Sequence, residues 1–226
     1  MGHQFNGHGE CYCGTPNRIN ATNRPCRWDK TNWNGTSWNG TPANLKLTYA
    51  LDGVSEQFAP ALAWAWREWE KVCAIEVSRV SDVRFANIRY TAKRIDGPSG
   101  TLAWAELPCG SDRQLESRID SGDRWHYDPL TAPARGTVHI GAVMCHENGH
   151  LLGLDHETDE NQTSLLDPFY DPSIRVPQQW DIAQAVLRYG PPAVNIPPVD
   201  PGNPDVTKSL ELLLDGDKYV GRVTKV

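Results

Sequence analysis

The stretch CHENGHLLGLDHE, residues 145–157, places metal-binding and proton-transferring side chains around one glycine. His146 and His150 are four residues apart, so on a helix they share one face a turn apart, with Glu147 beside it. His156 cannot join that face on the same helix. Gly153, lying between, can end the helix in a left-handed conformation and turn the chain back so that a third imidazole meets the other two. Such a set suits zinc, which accepts neutral imidazole nitrogen at about 2.0–2.1 Å and, with three protein ligands, keeps a fourth position for water. The pKa of that water falls toward about 7, and Glu147 is placed to take its proton and pass it to a leaving amine. The segment therefore predicts a catalytic zinc on His146, His150 and His156 with Glu147 as general base. Against this stand a helix whose histidines merely line a surface, and a zinc site that binds metal without turning over.

At 226 residues, with nine tryptophans to anchor a core, the chain suits one enzyme-sized domain with short extensions. A net charge of -6 and the lack of any Lys/Arg block argue against nucleic acid or an anionic membrane as partner. No run approaches the roughly 18 apolar residues that span a bilayer. MGHQFNGHGECYCG has no basic region followed by an apolar run, so no secretory signal is recognisable. Cys11, Cys13, Cys26, Cys73, Cys109 and Cys145 allow three disulfides but fix no connectivity. Sequons at Asn20, Asn34, Asn39 and Asn161 carry meaning only on a secretory route.

Residues 1–44, rich in Gly, Asn, Thr and Pro and with WNGT occurring twice, read as an extended lead-in. LKLTYAL (45–51) alternates like a strand, and across 55–73 Phe58, Leu62, Trp66, Trp69 and Val72 recur at helical spacing as a core stripe. AIEVSRV, ANIRYTA and TLAWAELP read as three further strands. Turn residues dominate 108–135. The motif helix is expected from Gly136 or Thr137 to Leu152, and a last helix over 178–189, introduced by Pro177. Residues 45–190 thus form the catalytic domain. A Pro-rich linker occupies 191–207, and 208–226 is a β-hairpin turning at Asp215-Gly216 that docks on its own body or on a partner.

Together with the histidine motif, several segments in order resemble the matrixins, a branch of the metzincin zinc peptidases, over roughly residues 11–192. CGTPN (13–17) is similar to the family's cysteine switch, and GTLAWAELP to its substrate-pairing edge strand. SLLDPFY is placed like the Met-turn and the pocket wall after it, and VPQQWDIAQAVLRYGPP is close to the closing helix. The resemblance implies an α+β, zincin-like domain: a twisted, mostly parallel sheet with an antiparallel edge strand and three helices. It implies a zinc endopeptidase acting as a monomer on peptide or protein substrates, held latent by Cys13 as fourth zinc ligand, and it favours an extracellular setting. Substrate would meet Ala103 and Ala105 in the edge strand and a pocket near Ala142, Pro168, Phe169 and Tyr170. DGPSG (96–100) with Asp120 and Asp123 resembles a calcium loop in which Asp96 takes part; oxygen donors fit calcium, although acidic turn residues are usually just solvated.

The departures are specific. Leu166 stands at the Met-turn position, where a leucine still supplies an apolar floor. Glu157 follows His156 where matrixins carry a small hydroxyl residue, and Tyr12 precedes Cys13 where they carry Arg. Trp104 and Arg118 occupy the histidine positions of the family's structural zinc, and neither suits zinc there, which leaves one zinc. Cys13 has Cys11 and Cys26 as rival partners in a disulfide. Cys145 reads as a core residue, His139 as a core or surface histidine on the motif helix, and His126 has no assigned role.

Overall fold

The computed structural model describes residues 12–13, 28, 45–108, 114–159, 161–192, 210–214 and 217–221. The chain divides into two units, Met1–Ala193 and Val194–Val226. The first runs β1 (Tyr12–Cys13), β2 (Leu45–Asp52), α1 (Ala59–Glu70), β3 (Ile75–Arg79), β4 (Ile88–Lys93), β5 (Thr101–Ala105), β6 (Leu115–Asp120), β7 (Trp125–His126), β8 (Val138–His139), α2 (Ile140–Leu151) and α3 (Gln179–Tyr189). In the second, β9 (Leu210–Leu214) and β10 (Asp217–Gly221) pair antiparallel, Leu214 opposite Asp217. The sequons at Asn20, Asn34 and Asn39, both WNGT copies, Cys11, Cys26, Cys109, most of the Pro-rich linker and the hairpin tip lie outside the described residues.

Six strands form the main sheet in the order β1-β5-β6-β4-β2-β3. Every pairing is parallel except β5 with β6, so the expected α+β architecture, mostly parallel with an antiparallel strand toward one edge and three α-helices, is the one observed. The alternating pattern of β2 buries Leu47 and Tyr49, and β4 buries Ile88 and Tyr90. Against these pack α1 and α2. The tryptophan stripe lies in this core: Leu62, Trp66 and Trp69 are at most 1 % exposed, and the Trp69 indole donates to the Cys145 carbonyl at 2.8 Å. Each such indole removes about 150–250 Å² from water.

Three local expectations are corrected. The 108–135 region is not turns alone: β6 lies inside the sheet between β5 and β4. Its LESRID pattern turns Leu115, Ser117 and Ile119 inward and sends Glu116 and Arg118 outward to neighbouring strands, so charges that look like loop residues are paired across a sheet. The motif helix begins at Ile140 rather than near Gly136. Gly136 holds φ 77°, and Val138–His139 first pair with Trp125–His126, which leaves His139 as the N-cap. Finally, the lead-in is not merely extended. Trp28, 6 % exposed, is part of the core.

Candidate metal centre

All twelve residues of α2 are buried. Its start is closed by His139, whose Nδ1 accepts from the Ala142 N–H at 2.9 Å. Its end is a Schellman turn: Gly153 takes φ 88°, its N–H donates to His150 O at 2.7 Å, and the Leu154 N–H donates to Gly149 O at 3.0 Å. This reversal brings His156 back beside His146 and His150. The remaining carbonyls at the helix end are met by side chains from far away in sequence. Trp28 Nε1 donates to Leu151 O at 2.6 Å and Tyr189 Oη to Leu152 O at 2.7 Å.

His150 Nε2 lies 3.1 Å from Nε2 of both His146 and His156, and Cys13 Sγ lies 3.5 Å from it. The four ligand atoms fall within 4.8 Å of one another. Nδ1 of His146 lies 2.6 Å from Leu165 O, and Nδ1 of His150 lies 2.7 Å from Leu154 O. A carbonyl only accepts, so both Nδ1 atoms carry the proton and both Nε2 atoms present lone pairs. Lone pairs facing each other at this distance need a cation between them. Tetrahedral zinc with its usual bond lengths sets nitrogens about 3.3 Å apart and sulfur about 3.6 Å from nitrogen, so this donor set fits it. The protonation equilibria favour the same ion. Burial pushes His146 down to about 3, His156 to about 4 and His150 well below the ordinary imidazole value, keeping all three neutral and ready to ligate.

Cys13 reaches this point because β1 runs parallel to β5, with Tyr12 opposite Thr101 and Cys13 opposite Ala103, while the Cys13 N–H donates to Pro168 O at 2.9 Å. The N-terminal segment thus bridges two walls. Between them opens a cleft of about 500 Å³ with its mouth included, lined by Ala142, Val143, Glu147, Pro168, Phe169 and Tyr170 among others. Glu147 is 1 % exposed. Ala103 and Ala105 lie in β5, buried and outside the cleft lining. Leu166 is fully buried against the motif helix: a Cβ at Gly149 would meet its Cδ2 at 2.9 Å. A leucine therefore forms the floor beneath α2 at Gly149.

Sequence reasoning missed the group that fixes this floor. Buried Asp181 accepts from Ser164 Oγ (2.6 Å), Leu165 N (2.7 Å) and Gln178 N (2.7 Å), so it holds the turn whose Leu165 carbonyl orients His146. The Gln178…Asp181 capping box opening α3 was the available signal. Trp28 had no signal beyond its residue type. Cys73 and Cys145 are buried free thiols, so neither is in a disulfide. His126 and His139 stack with ring centres 5.8 Å apart, away from the metal group.

The acidic loop is also assembled. Asp120 accepts from the N–H groups of Asp96 (3.1 Å), Gly97 (3.1 Å) and Gly122 (2.6 Å), Asp96 from Thr101 N (3.1 Å) and Asp123 from Ser99 N (2.8 Å). Burial, with the charges of Asp120 and Asp96, pushes Asp123 up to about 6, and its Oδ2 is buried with no hydrogen-bond partner. Trp104 and Arg118 sit directly opposite each other on β5 and β6, the guanidinium 4.9 Å from the ring centre.

Comparison with known proteins places these features in one family. The family described as Matrixin matches residues 37–187, more than half of the chain. Matrix metalloproteinase-C of Caenorhabditis elegans is 31% identical over 142 residues, covering 55% of this chain and 23% of that protein. Stromelysin-3 of Rattus norvegicus is 31% identical over 176 residues (70% and 32%), and interstitial collagenase of Equus caballus 28% identical over 178 residues (74% and 36%). The chain thus spans about a quarter to a third of the length of these relatives.

Proposed function

The chain belongs to the matrixin family, and on that premise we propose that it is a zinc-dependent endopeptidase with Glu147 as general base, held latent by Cys13. The observation that carries this reading is the convergence of three imidazole nitrogens and one thiol sulfur within 4.8 Å of one another, beside a cleft lined by a buried glutamate. His146, His150 and His156 would hold zinc, which supplies Lewis acidity toward a carbonyl and lowers the pKa of a water.

The chain's own groups do the rest. Glu147 takes a proton from the attacking water and delivers it to the leaving amine. The outer edge of β5 aligns an extended peptide. It already accepts backbone pairing from β1, and Cys13 also bonds Pro168 across the cleft. Ala103 and Ala105 contribute through their backbone, since their side chains are buried. The residue after the cut enters between Ala142, Pro168 and Tyr170, a lining that suits a large apolar side chain. Cys13 lies where the substrate would lie, which makes the N-terminal segment its competitor. Asp96, Asp120 and Asp123 form a calcium loop; the unpartnered Asp123 oxygen supports this, and a calcium-dependent rise in melting temperature, lost in Asp123→Asn, is expected.

The test combines metal content with cleavage of a peptide library. Cys13→Ser should cleave at least about ten times faster than the unaltered chain and lose activity with chelator. Adding Glu147→Ala should retain one zinc per chain and lower cleavage by about 10²–10⁴. Activity surviving Glu147→Ala sinks the mechanism. Zinc retained without cleavage in Cys13→Ser would favour a silent zinc-binding module instead.

A further inference from the structure

Among the described residues β5 is joined to the body of the sheet through β6; its other neighbour is the two-residue β1. The β5–β6 ladder is short: Ala103 opposite Ile119, Trp104 opposite Arg118, Ala105 opposite Ser117. In the activated chain, with β1 displaced from β5, that ladder and the packing of the inner face on α2 keep the substrate strand in place. Ala103 and Ala105 are 0 and 1 % exposed while Trp104 between them is partly exposed, so Trp104 stands on the opposite face of the sheet.

On that face runs a continuous polar chain. Arg89 lies 3.6 Å from Asp52 and donates to Glu116 at 2.7 Å. Thr91 Oγ1 donates to the other Glu116 oxygen at 2.7 Å, and Arg118 Nη2 and Nε donate to that same oxygen at 2.7 and 3.1 Å. The contacts cross β2, β4 and β6, and they pin the Arg118 guanidinium by its edge. Its face is left for the Trp104 indole, 4.9 Å away. Only a planar cation can fork onto a carboxylate and stack on a ring at once; an ammonium cannot.

We propose that Trp104 and Arg118 are positioning residues whose cation–π contact, braced by Glu116, holds β5 to the sheet as the strand that aligns substrate. The kinetic part of this rests on the endopeptidase reading, whereas the clamp itself does not.

The experiment uses the full chain carrying Cys13→Ser, with Trp104→Leu, Trp104→Phe and Arg118→Lys added singly. Amide hydrogen exchange is read at β5 and at β4, and KM and kcat are measured with a peptide long enough to lie along β5 and with a short one. Trp104→Leu and Arg118→Lys should speed β5 exchange by about 2- to 30-fold and leave β4 unchanged. KM for the long peptide should rise by a similar factor while kcat on the short peptide holds, and Trp104→Phe should restore most of both. Unchanged β5 exchange in Trp104→Leu and Arg118→Lys overturns the clamp. Faster exchange across the whole sheet, unrescued by Trp104→Phe, reduces it to ordinary packing and also overturns it. Exchange reads the clamp without turnover, so an inactive chain would count against the endopeptidase reading alone.

Discussion

At the cleft, Nε2 of His150 faces Nε2 of His146 and of His156 at 3.1 Å, and the Nδ1 protons of His146 and His150 are committed to carbonyls. On the far face of β5 and β6 the polarity is reversed. There one carboxylate, Glu116, gathers Arg89, Arg118 and Thr91, and the cation comes from the chain itself. On the proposed reading the first arrangement takes its cation from solution, while the second is complete on folding. The order of the cleft should therefore depend on metal, and the order of β5 should not.

Chelation is the most severe way to break this contrast. An ion bound at a thousand times its dissociation constant stabilises by about 4 kcal/mol, so stripping it should lower the melting temperature strongly. Hydrogen exchange should quicken in 150–156 and 164–168 while β5 and β6 stay protected. Equal loosening of β5 and β6 would show that the two regions are one unit.

Next comes Trp28→Ala, which removes a buried indole and its bond to Leu151 O at the end of α2. A loss of about 3–5 kcal/mol is expected in denaturant titration, with weaker zinc retention and no change in β5–β6 exchange. It also sharpens the latency reading. Truncation ending before Trp28 should raise cleavage, whereas truncation through it should destabilise the helix that carries two proposed ligands.

The contrast was unevenly legible in the sequence. The histidine spacing with Gly153 fixed the cleft because a helix face and a left-handed turn are local properties. The identities of Trp104 and Arg118 showed only that a metal was unsuited there. That the two touch depends on register between strands, and β6 itself was hidden because its charges resemble a loop until neighbouring strands pair them. Trp28 acts on α2 from 123 residues away, a distance that no local pattern encodes, and the capping box that marks Asp181 does not show its reach to the 164–166 turn 15–17 residues back.

A smaller effect probes the cleft floor. Gly149→Ala places a Cβ 2.9 Å from Leu166 Cδ2 and 3.0 Å from Trp69 Cζ2, both in the core. About 1–3 kcal/mol of overpacking strain is expected. The strain should loosen zinc, read as faster metal loss to a chelator, and leave the Trp104–Arg118 face unaltered.

The smallest effect is an acid response confined to the outer face. Burial alone would raise the Glu116 pKa, but hydrogen bonds from Thr91, Arg118 and Arg89 outweigh it and bring it to about 2. A carboxyl held below its unfolded value gives stability that is full above about 4.5 and lost as pH falls through about 2. With the side chain 13 % exposed, screening leaves about 1–2 kcal/mol. Glu116→Gln should flatten the stability slope between those limits in chelator-treated protein, where the metal contributes nothing. Combined with Arg118→Met it should cost less than the sum of the two changes, because both remove the same contact. Additive losses would mean that Glu116 does not brace the guanidinium, and the outer face would then be no more self-sufficient than the cleft.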